Sequence, residues 1–392
     1  MLNFEYYTPT KVIFGKDSEK KTGQLIKAQN CKKVLVHFGG ASAKKSGLLD
    51  RVFKSLESQG IDYVSLGGVV PNPRLSKVYE GIELCKKENV DFILAVGGGS
   101  VIDSAKAIGY GVVHPCDVWD LYEGKAEVIG CLPIGAVLTI AAAGSEMSNS
   151  SVITNEEGWL KRGCNTDHGR CKFAVMNPEL TYTLPEYQTA SGCTDILMHT
   201  MERYFNTEEH RELTDSISEG LMKTVIHHAE ILIKNPTDYN ARAEIMWAGS
   251  LAHNGLTGCG VTGDWSSHQL EHELGGMFDV AHGAGLAAVW GSWARYVYQS
   301  NPKRFAQFAV NVLGVPNDFH NPEKTALEGI EAMEAFYRAI KMPISIKELG
   351  IDVTDDQIDE LAYKCSFGDT RTIGNFKILN REDMKKIFTM AR

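Results

Sequence analysis

The chain has 392 residues, of which 43% are hydrophobic and 23% are charged, an ordinary composition for a globular protein long enough to form two domains. Its formal net charge of -9, without any run of Lys or Arg, excludes a basic nucleic-acid-binding surface. The N-terminus has no signal-peptide pattern, and the longest mostly apolar stretch, Cys131 to Gly144, is too short to cross a membrane. The nine cysteines form no CxxC pairs, which is typical of a reducing compartment. We therefore expect a soluble cytoplasmic protein without a nucleic-acid or membrane partner.

The first half of the chain alternates short apolar runs with amphipathic stretches. Buried strands are predicted, in chain order, at Val34–Phe38, Ile61–Leu66, Asp91–Val96, Leu132–Thr139, Val152–Thr154 and Phe173–Met176. Residues 155–171 are predicted to form a loop, and helical spacing is found over Gly47–Gln59 and Leu75–Asn89. Strands that alternate with helices predict a parallel sheet covered on both faces.

After Pro185 the pattern changes to helical periodicity alone, and no strand is predicted. The predicted helices cover residues 186–205, 209–233, 237–257, 264–274, 283–298, 323–341, 354–366 and 380–392. The pair Gly275-Gly276 is predicted to end the helix over 264–274. The change of pattern predicts an α/β domain of residues 1–184 followed by an all-α domain of residues 185–392.

A glycine turn, Gly97-Gly98-Gly99-Ser100, joins a predicted strand to a predicted helix. Such a turn lets backbone N–H groups approach a dinucleotide pyrophosphate at a helix N-terminus. The spacing is not G-x-G-x-x-G, and the turn could instead be a cap in which Ser100 is answered by Asp103. Two more polar turns, Gly39-Gly40 with Ser42 and Pro71-Asn72-Pro73, follow other strands in the same way. Three such turns along one edge of the sheet favour a cofactor site.

Two pairs of potential metal ligands have the i,i+4 spacing that puts both side chains on one face of a helix. Asp195 and His199 form one pair, His268 and His272 form the other, and His282 stands near the start of the next helix. A single histidine is usually a core or surface residue. Several imidazoles grouped with one carboxylate, however, suit a divalent ion such as Fe²⁺ or Zn²⁺ with one position left open. The pattern therefore predicts a metal site in the helical half.

Taken together, these residues resemble the iron-containing (group III) alcohol dehydrogenase family, and within it the butanol dehydrogenase and broad-range aldehyde reductase branch. The resemblance covers nearly the whole chain and is carried by residues 97–106, residues 139–146, Asp195-x3-His199 and His268-x3-His272-x9-His282-Gly283. It implies a dehydroquinate-synthase-like architecture: an α/β N-terminal dinucleotide-binding domain, an all-α C-terminal domain, and an active site in the cleft between them. It also implies a homodimer that transfers a hydride between NAD(P)H and a butanal-like or broader range of aldehydes, giving primary alcohols.

The resemblance implies a role for each residue of the metal pattern. Asp195, His199, His268 and His282 would hold the ion, and His272 would lie close to the substrate, where an imidazole can supply the proton. Ala143 stands where the family commonly has Thr, which removes one hydroxyl from the cofactor site. Asn177-Pro178 replaces a more usual Asp-Pro, which affects a turn. Cofactor contacts are predicted at Gly39, Gly40, Ser42, Asn72, Gly97, Gly98, Gly99, Ser100, Asp103, Thr139 and Lys161.

The predicted cofactor is NADP(H) in preference to NAD(H). An NAD-preferring enzyme usually has a carboxylate that binds the adenosine ribose 2′-hydroxyl and would repel a 2′-phosphate. Here the first predicted strand runs into Gly39-Gly40-Ala41-Ser42 without an acid, and Lys44 and Lys45 follow. The hydroxyl, the free N–H groups of the turn and the two lysines favour a phosphate. The glycines could instead form only a turn, with both lysines on the solvated surface.

Other functions remain compatible with these patterns. A glycerol-type dehydrogenase or a dehydroquinate-synthase-like lyase would use the same fold with fewer histidines around the metal. A metal-dependent hydrolase would need a carboxylate base beside the ion, whereas Glu271 and Glu273 point off the face of His268 and His272. A non-catalytic, metal-stabilised scaffold would leave the three glycine-rich or polar turns without a role.

Overall fold

The computed structural model describes residues 1–392, which divide into two compact units. One unit is Tyr7–Leu184, and the other is Pro185–Arg392 together with Met1–Tyr6. The first six residues therefore belong to the helical unit, although the sequence pattern counts them with the α/β half. Backbone pairing accounts for this, since the N–H of Leu2 donates to the carbonyl oxygen of Gly260 at 2.9 Å.

The α/β unit contains eight strands, six of which form one parallel sheet. The strands are β1 (Lys11–Phe14), β2 (Lys33–Phe38), β3 (Asp62–Leu66), β4 (Phe92–Gly97), β5 (Ile134–Leu138), β6 (Ser150–Asn155), β7 (Leu160–Asn165) and β8 (Phe173–Met176). The sheet has the order β1-β8-β5-β4-β2-β3, and β6 pairs with β7 in a separate antiparallel hairpin. Because β3 and β4 lie on opposite sides of β2, the direction of winding reverses between β2 and β4.

Six helices accompany this sheet: α1 (Thr22–Lys27), α2 (Ser42–Lys45), α3 (Leu48–Glu57), α4 (Leu75–Glu88), α5 (Gly99–Val113) and α6 (Val118–Tyr122). The central strands are apolar and fully buried, as expected for a sheet covered on both faces. On one face, side chains of β2 and β4 pack against the apolar side of α3, including Val34, Val36, Leu94 and Val52. Burial of this apolar surface is the main source of stability for the unit.

The parallel sheet and most of its strands are confirmed, and three details differ from the predictions. The segment 155–171 is not only a loop, because it contains β7. The strand predicted at Val152–Thr154 belongs to the β6–β7 hairpin and not to the parallel sheet. Strand β1 has no counterpart among the predictions, since it is only four residues long and lies at an edge. Short edge strands carry little apolar pattern.

The second unit is helical, with α7 (Glu186–Tyr204), α8 (Glu212–Lys234), α9 (Tyr239–His253), α10 (Ser266–Phe278), α11 (His282–Val297), α12 (Pro302–Leu313), α13 (Pro322–Ala339), α14 (Asp355–Cys365) and α15 (Arg381–Ala391). All eight helices predicted from the sequence are present. Helix α12 is an additional one that was not predicted. None of the helices combines the length and apolar character needed to cross a membrane.

The predicted helix stop at Gly275-Gly276 is wrong. Helix α10 continues through both glycines to Phe278, and Asp279 ends it in the left-handed conformation with φ 53°. The N–H of Asp279 donates to the carbonyl oxygen of Gly275 at 3.1 Å. Both glycines are buried, so packing outweighs their low helix propensity. Only three residues then separate α10 from α11, and His282 is the first residue of α11.

Candidate metal centre and cofactor turns

Three helices that pack against one another, α7, α10 and α11, carry the predicted ligands. Asp195 and His199 lie one turn apart on α7, His268 lies on α10, and His282 begins α11. Asp195, His268 and His282 each offer one potential ligand atom, and these three atoms lie within 4.8 Å of one another. His199 stands beside this group through its contact with Asp195.

One carboxylate oxygen is the centre of the cluster. The Nε2 atoms of His199, His282 and His268 lie 3.3, 3.7 and 3.8 Å from Oδ1 of Asp195. Asp195 is buried, yet its Oδ1 makes no hydrogen bond, and neither does Nε2 of His268. Buried polar atoms almost always have a partner, so orphaned atoms in a converging group point to an absent one. Three imidazole nitrogens and one carboxylate oxygen are the donor set that Fe²⁺ or Zn²⁺ accepts.

Two further carboxylates, which the sequence did not single out as ligand partners, lie behind two of the rings. Nδ1 of His268 donates to Oε1 of Glu202 at 3.0 Å, and Nδ1 of His282 hydrogen-bonds to Oε2 of Glu271. Both glutamates are buried. Because a carboxylate accepts the Nδ1 proton of each ring, each Nε2 can offer its lone pair to a cation beside Asp195 once it has lost any proton of its own. Glu202 could have been found from its position two turns after Asp195 on α7, whereas the contact of Glu271 depends on how α10 and α11 pack.

Burial and neighbouring charges shift the pKa values of His199 and His268, the two most buried rings of the cluster, in opposite directions. Burial, together with the neighbouring His253, His268 and Arg203, holds the pKa of His199 well below its usual range. Burial also lowers the pKa of His268, but the carboxylates of Asp195 and Glu202 outweigh it and raise that pKa to about 9. Near pH 7, His199 is therefore neutral, and His268 carries a proton that a bound cation has to displace.

His272 lies beside the cluster and not in it. It stands one turn after His268 on α10, is half-buried, and its ring centroid is 5.9 Å from that of His282. An imidazole at this distance is close enough to contact a molecule bound at the cluster. The sequence assigned no role to His253, but its ring centroid lies 3.9 Å from that of His199.

The predicted cofactor turns follow adjacent parallel strands and so lie along one edge of the sheet. Gly39 follows β2 directly, Gly97 ends β4, and Thr139 follows β5. The N–H of Thr139 donates to the carbonyl oxygen of Gly97 at 3.1 Å. The turns after β2 and β4 flank the point where the winding of the sheet reverses, which is where ligands bind in open α/β sheets.

The turn after β4 excludes side chains. A Cβ on Gly98 would lie 1.9 Å from Cγ2 of Ile140, and one on Gly97 would lie 2.4 Å from Cγ2 of Val101. Gly98, not Ser100, is the N-cap of α5, so the capping alternative is wrong in detail. Gly98, Gly99 and Ser100 stay partly exposed at the start of α5, and N–H groups at a helix N-terminus favour a phosphate.

Three residues predicted to contact the cofactor also lie in segments that are bonded to other parts of the α/β unit. The carboxylate of Asp103 accepts a hydrogen bond from the N–H of Val152 at 3.0 Å, which ties α5 to the β6–β7 hairpin. Lys161 lies on β7 opposite Thr154, whose N–H donates to the carbonyl oxygen of Pro73 at 2.8 Å. The hairpin with Lys161 is therefore connected to the turn containing Asn72, which is buried with φ 52°.

One residue that holds the turn after β5 in the α/β unit was not predicted. Lys106, on α5, is fully buried and donates to the carbonyl oxygens of Ser145, Ser148 and Ser150 at 2.8, 3.0 and 2.7 Å. These bonds hold the segment after β5 against α5, where a Cβ on Gly99 would lie 3.3 Å from Oγ of Ser145. Asn177 has the turn role expected of it, since its side chain accepts from the N–H of Glu179 at 3.1 Å.

The two halves of the sequence match models of one protein family. "Iron-containing alcohol dehydrogenase" matches residues 9–178, and "Fe-containing alcohol dehydrogenase family, C-terminal" matches residues 189–392. The chain belongs to the iron-containing alcohol dehydrogenase family. This membership confirms the resemblance inferred from the sequence, together with the α/β-plus-helical fold and the oxidoreductase class. The hydrolase and scaffold alternatives have no support.

Relatives match over the whole length of the chain. The NADH-dependent butanol dehydrogenase A of Clostridium acetobutylicum is 39% identical, and the match covers 99% of each chain. The NADPH-dependent aldehyde reductase YqhD of Escherichia coli is 32% identical, with 100% of each chain covered. Among solved structures, the NADH-dependent butanol dehydrogenase A of Thermotoga maritima is 39% identical with a TM-score of 0.96, covering 100% of this chain and 99% of that one.

Proposed function

We propose that this family member reduces butanal-like aldehydes to primary alcohols with a nicotinamide cofactor, and oxidises the alcohols in reverse. A divalent ion, Fe²⁺ or Zn²⁺, would be held by Asp195, His199, His268 and His282. The observation that carries this proposal is the convergence of three imidazole Nε2 atoms on the buried, unpaired Oδ1 of Asp195. When bound, such an ion acts as a Lewis acid that polarises the carbonyl group of the substrate.

The reaction balances as aldehyde, NAD(P)H and a proton giving alcohol and NAD(P)⁺. When bound, the reduced nicotinamide would supply the hydride for the new C–H bond at the carbonyl carbon, and with it both electrons. The protein holds the substrate oxygen and supplies the proton that this oxygen takes up. His272 is the proposed proton donor, because it is half-buried beside the cluster and imidazole can exchange a proton near neutral pH.

The proposed cofactor preference is NADP(H) over NAD(H). The turn after β2 exposes Gly40 and Ser42, followed by exposed Lys44 and Lys45, and no acidic side chain occurs between Phe38 and Leu49. A 2′-phosphate would meet hydroxyl, N–H and ammonium donors there without a repelling carboxylate. The relatives do not decide between the cofactors, since one is named NADH-dependent and another NADPH-dependent. The remaining predicted contacts, at Asn72, Asp103, Thr139 and Lys161, belong to the same proposal.

The proposed substrate class rests on the names of two relatives. One is named for oxidation of an alcohol, as a butanol dehydrogenase, and the other for reduction of an aldehyde, as an aldehyde reductase. A steady-state assay of protein reconstituted with Fe²⁺ or Zn²⁺ tests it, with a panel of short and medium aldehydes and with NADPH and NADH compared. We expect aldehyde-dependent oxidation of the cofactor, with a higher kcat/KM for NADPH. A higher kcat/KM for NADH would contradict the preference alone, and no aldehyde-dependent oxidation would contradict the function.

We propose that the enzyme acts as a homodimer in the cytoplasm. Strand β1 is an edge of the parallel sheet, and the segment before it exposes apolar side chains at Met1, Leu2, Phe4, Tyr6 and Tyr7. A strand at the edge of a sheet and a run of exposed aromatic side chains are each typical of a surface covered by another chain. All nine cysteines are free, as in a reducing compartment. Light scattering should give twice the 43.2 kDa of one chain.

A further inference from the structure

The three histidines around Asp195 are not supported in the same way. His268 and His282 each have a buried glutamate on Nδ1, which fixes both the ring and its tautomer. Nδ1 of His199 is also buried, but it makes no hydrogen bond. A metal-ligating histidine almost always donates its second ring N–H to a carboxylate, a carbonyl or water. Some other contact must therefore hold the ring of His199.

That contact is made by a set of three side chains around His199, which we call the positioning layer: Arg203, His253 and Trp265. The ring of His253 lies against the ring of His199, with 3.9 Å between centroids and 33° between planes. Trp265 approaches the same ring edge-on, with 6.0 Å between centroids. The ring of His199 thus has two aromatic neighbours in this layer, besides the ring of His268 at 4.5 Å between centroids.

Arg203 holds the other two members of the layer. Its Nη2 donates to Nδ1 of His253 at 2.9 Å, and its guanidinium carbon lies 4.6 Å from the ring centroid of Trp265. Its Nη1 donates to the backbone carbonyl oxygens of His199 and Ala252 at 2.7 and 3.2 Å. Arg203 is buried, and these bonds go to carbonyls and an imidazole rather than to a carboxylate. A buried cation with such partners brings positive charge next to His199.

The layer contains a strained backbone. Trp265 is the N-cap of α10 with φ 65° and ψ 4°, in the left-handed region that large side chains rarely adopt. Strain of this kind persists only where surrounding contacts maintain it, and it concentrates at functional sites. Here the conformation keeps the indole ring against Arg203, His199 and also His268, whose ring centroid is 5.4 Å away.

We infer that His253, held by Arg203 over Trp265, is a positioning residue for His199. It fixes the imidazole plane so that Nε2 faces Asp195 before the ion arrives, a task that glutamates perform for the other two rings. The inference rests on the proposed function, because it takes His199 to be a metal ligand. It goes beyond that function by making the strength of one ligand depend on a residue that does not contact the ion.

Three variants of the full-length protein test this inference. His253→Leu keeps bulk but removes the acceptor for Arg203, and His253→Gln keeps an acceptor. His227→Leu is the matched control, since His227 is exposed on α8. The affinity for Zn²⁺ is measured by competition with a chromophoric chelator at fixed pH, and the ligand field is measured from the visible absorption of Co²⁺-substituted protein. The melting temperature of each metal-free variant reports on folding.

We expect His253→Leu to bind Zn²⁺ about tenfold more weakly, the usual cost of losing an outer partner of a ligand. The Co²⁺ absorption should shift, His253→Gln should recover most of the affinity, and His227→Leu should match the wild type. Wild-type affinity and absorption in His253→Leu would overturn the inference and leave the proposed function intact. So would equal losses in His253→Leu and His253→Gln that follow their melting temperatures. A wild type that binds neither Zn²⁺ nor Co²⁺ would overturn the proposed metal site, and this inference with it.

Discussion

Each candidate histidine ligand offers its own ring nitrogen and also contacts a side chain that holds its ring in place. Replacing His268 by Ala removes one donor and also leaves the buried carboxylate of Glu202 without its ring partner. Replacing His199 by Ala opens the side of the cluster against His253. We predict that His199→Ala and His268→Ala both lose metal and turnover, because three ligands hold the ion too weakly and in the wrong geometry.

Elemental analysis after dialysis against metal-free buffer measures this loss. His227→Ala serves as the control, since His227 is an exposed histidine on α8 outside the cluster. Full metal content in either ligand variant would show that the ligand assignment is wrong for that residue.

His272 is expected to behave differently from its neighbour one turn earlier on α10. It stands outside the atoms that converge on Asp195, so its removal should leave the ion in place. We predict that His272→Ala keeps metal but loses kcat by a factor on the order of 10²–10⁴, the usual contribution of a general acid. Water can substitute in part, which favours the smaller figure. Stoichiometric loss of metal from this variant would instead make His272 a ligand.

At the scale of the elements, the turn after β2 is expected to decide the cofactor preference. A Cβ on Gly39 would lie 3.5 Å from the carbonyl oxygen of Val69, an ordinary contact, so a side chain fits there. We predict that Gly39→Asp raises the KM for NADPH about tenfold, equivalent to about 1.4 kcal/mol, and changes the KM for NADH less. Gly39→Asn is the control, because it has nearly the same shape without the charge. An equal rise for both cofactors, or the same rise in both variants, would refute a role of charge at this turn.

A buried histidine joins three elements of the α/β unit and predicts how its stability depends on pH. Nδ1 of His37, on β2, contacts the carbonyl oxygen of Leu66 on β3 at 3.0 Å, and Nε2 contacts Oγ of Ser104 on α5 at 2.9 Å. Burial lowers the pKa of His37 from 6.5 to about 4. Between these two pH values the unfolded chain binds a proton that the folded chain does not. Stability is therefore lost as the pH falls from 6.5 to 4.

We predict that this one group costs the wild type about 3 kcal/mol of unfolding free energy over that range. His37→Gln keeps a donor and an acceptor but cannot titrate, so its stability should fall less. Urea unfolding at pH 7 and pH 4 measures the difference. Parallel losses in the two proteins would show that His37 does not account for the acid sensitivity.

How much could be predicted from the sequence differs between kinds of element. The parallel sheet and eight of the helices in the second unit follow from apolar periodicity, which is a local property. Helix α12 also had local signals, with Pro302 at its first position and Gly314 after its end in the left-handed conformation. The short strand β1 has no such signal. The partners Glu271 and His253 could not be predicted, because their contacts exist only once α10 has packed against α11 and α9 against α7.

At the scale of the whole molecule, the two halves of the proposed reaction belong to different units of the chain. The cofactor turns lie in Tyr7–Leu184, and the candidate ligands lie in Pro185–Arg392. In the proposed reaction, neither unit would carry out hydride transfer by itself. Substitutions at the cofactor turns or at the candidate ligands should therefore abolish the same reaction, although only substitutions around Asp195 should reduce the metal content.

The most direct test of the central claim follows one hydrogen from the cofactor to the product. Metal-reconstituted enzyme is given butanal and a reduced cofactor with deuterium at the transferable C4 position, and the alcohol is examined by mass spectrometry. We predict one deuterium on C1 of butanol for each cofactor oxidised, a reaction that stops when a chelator strips the ion and resumes with Fe²⁺ or Zn²⁺. Butanol without deuterium, or undiminished turnover in stripped enzyme, would contradict metal-dependent hydride transfer.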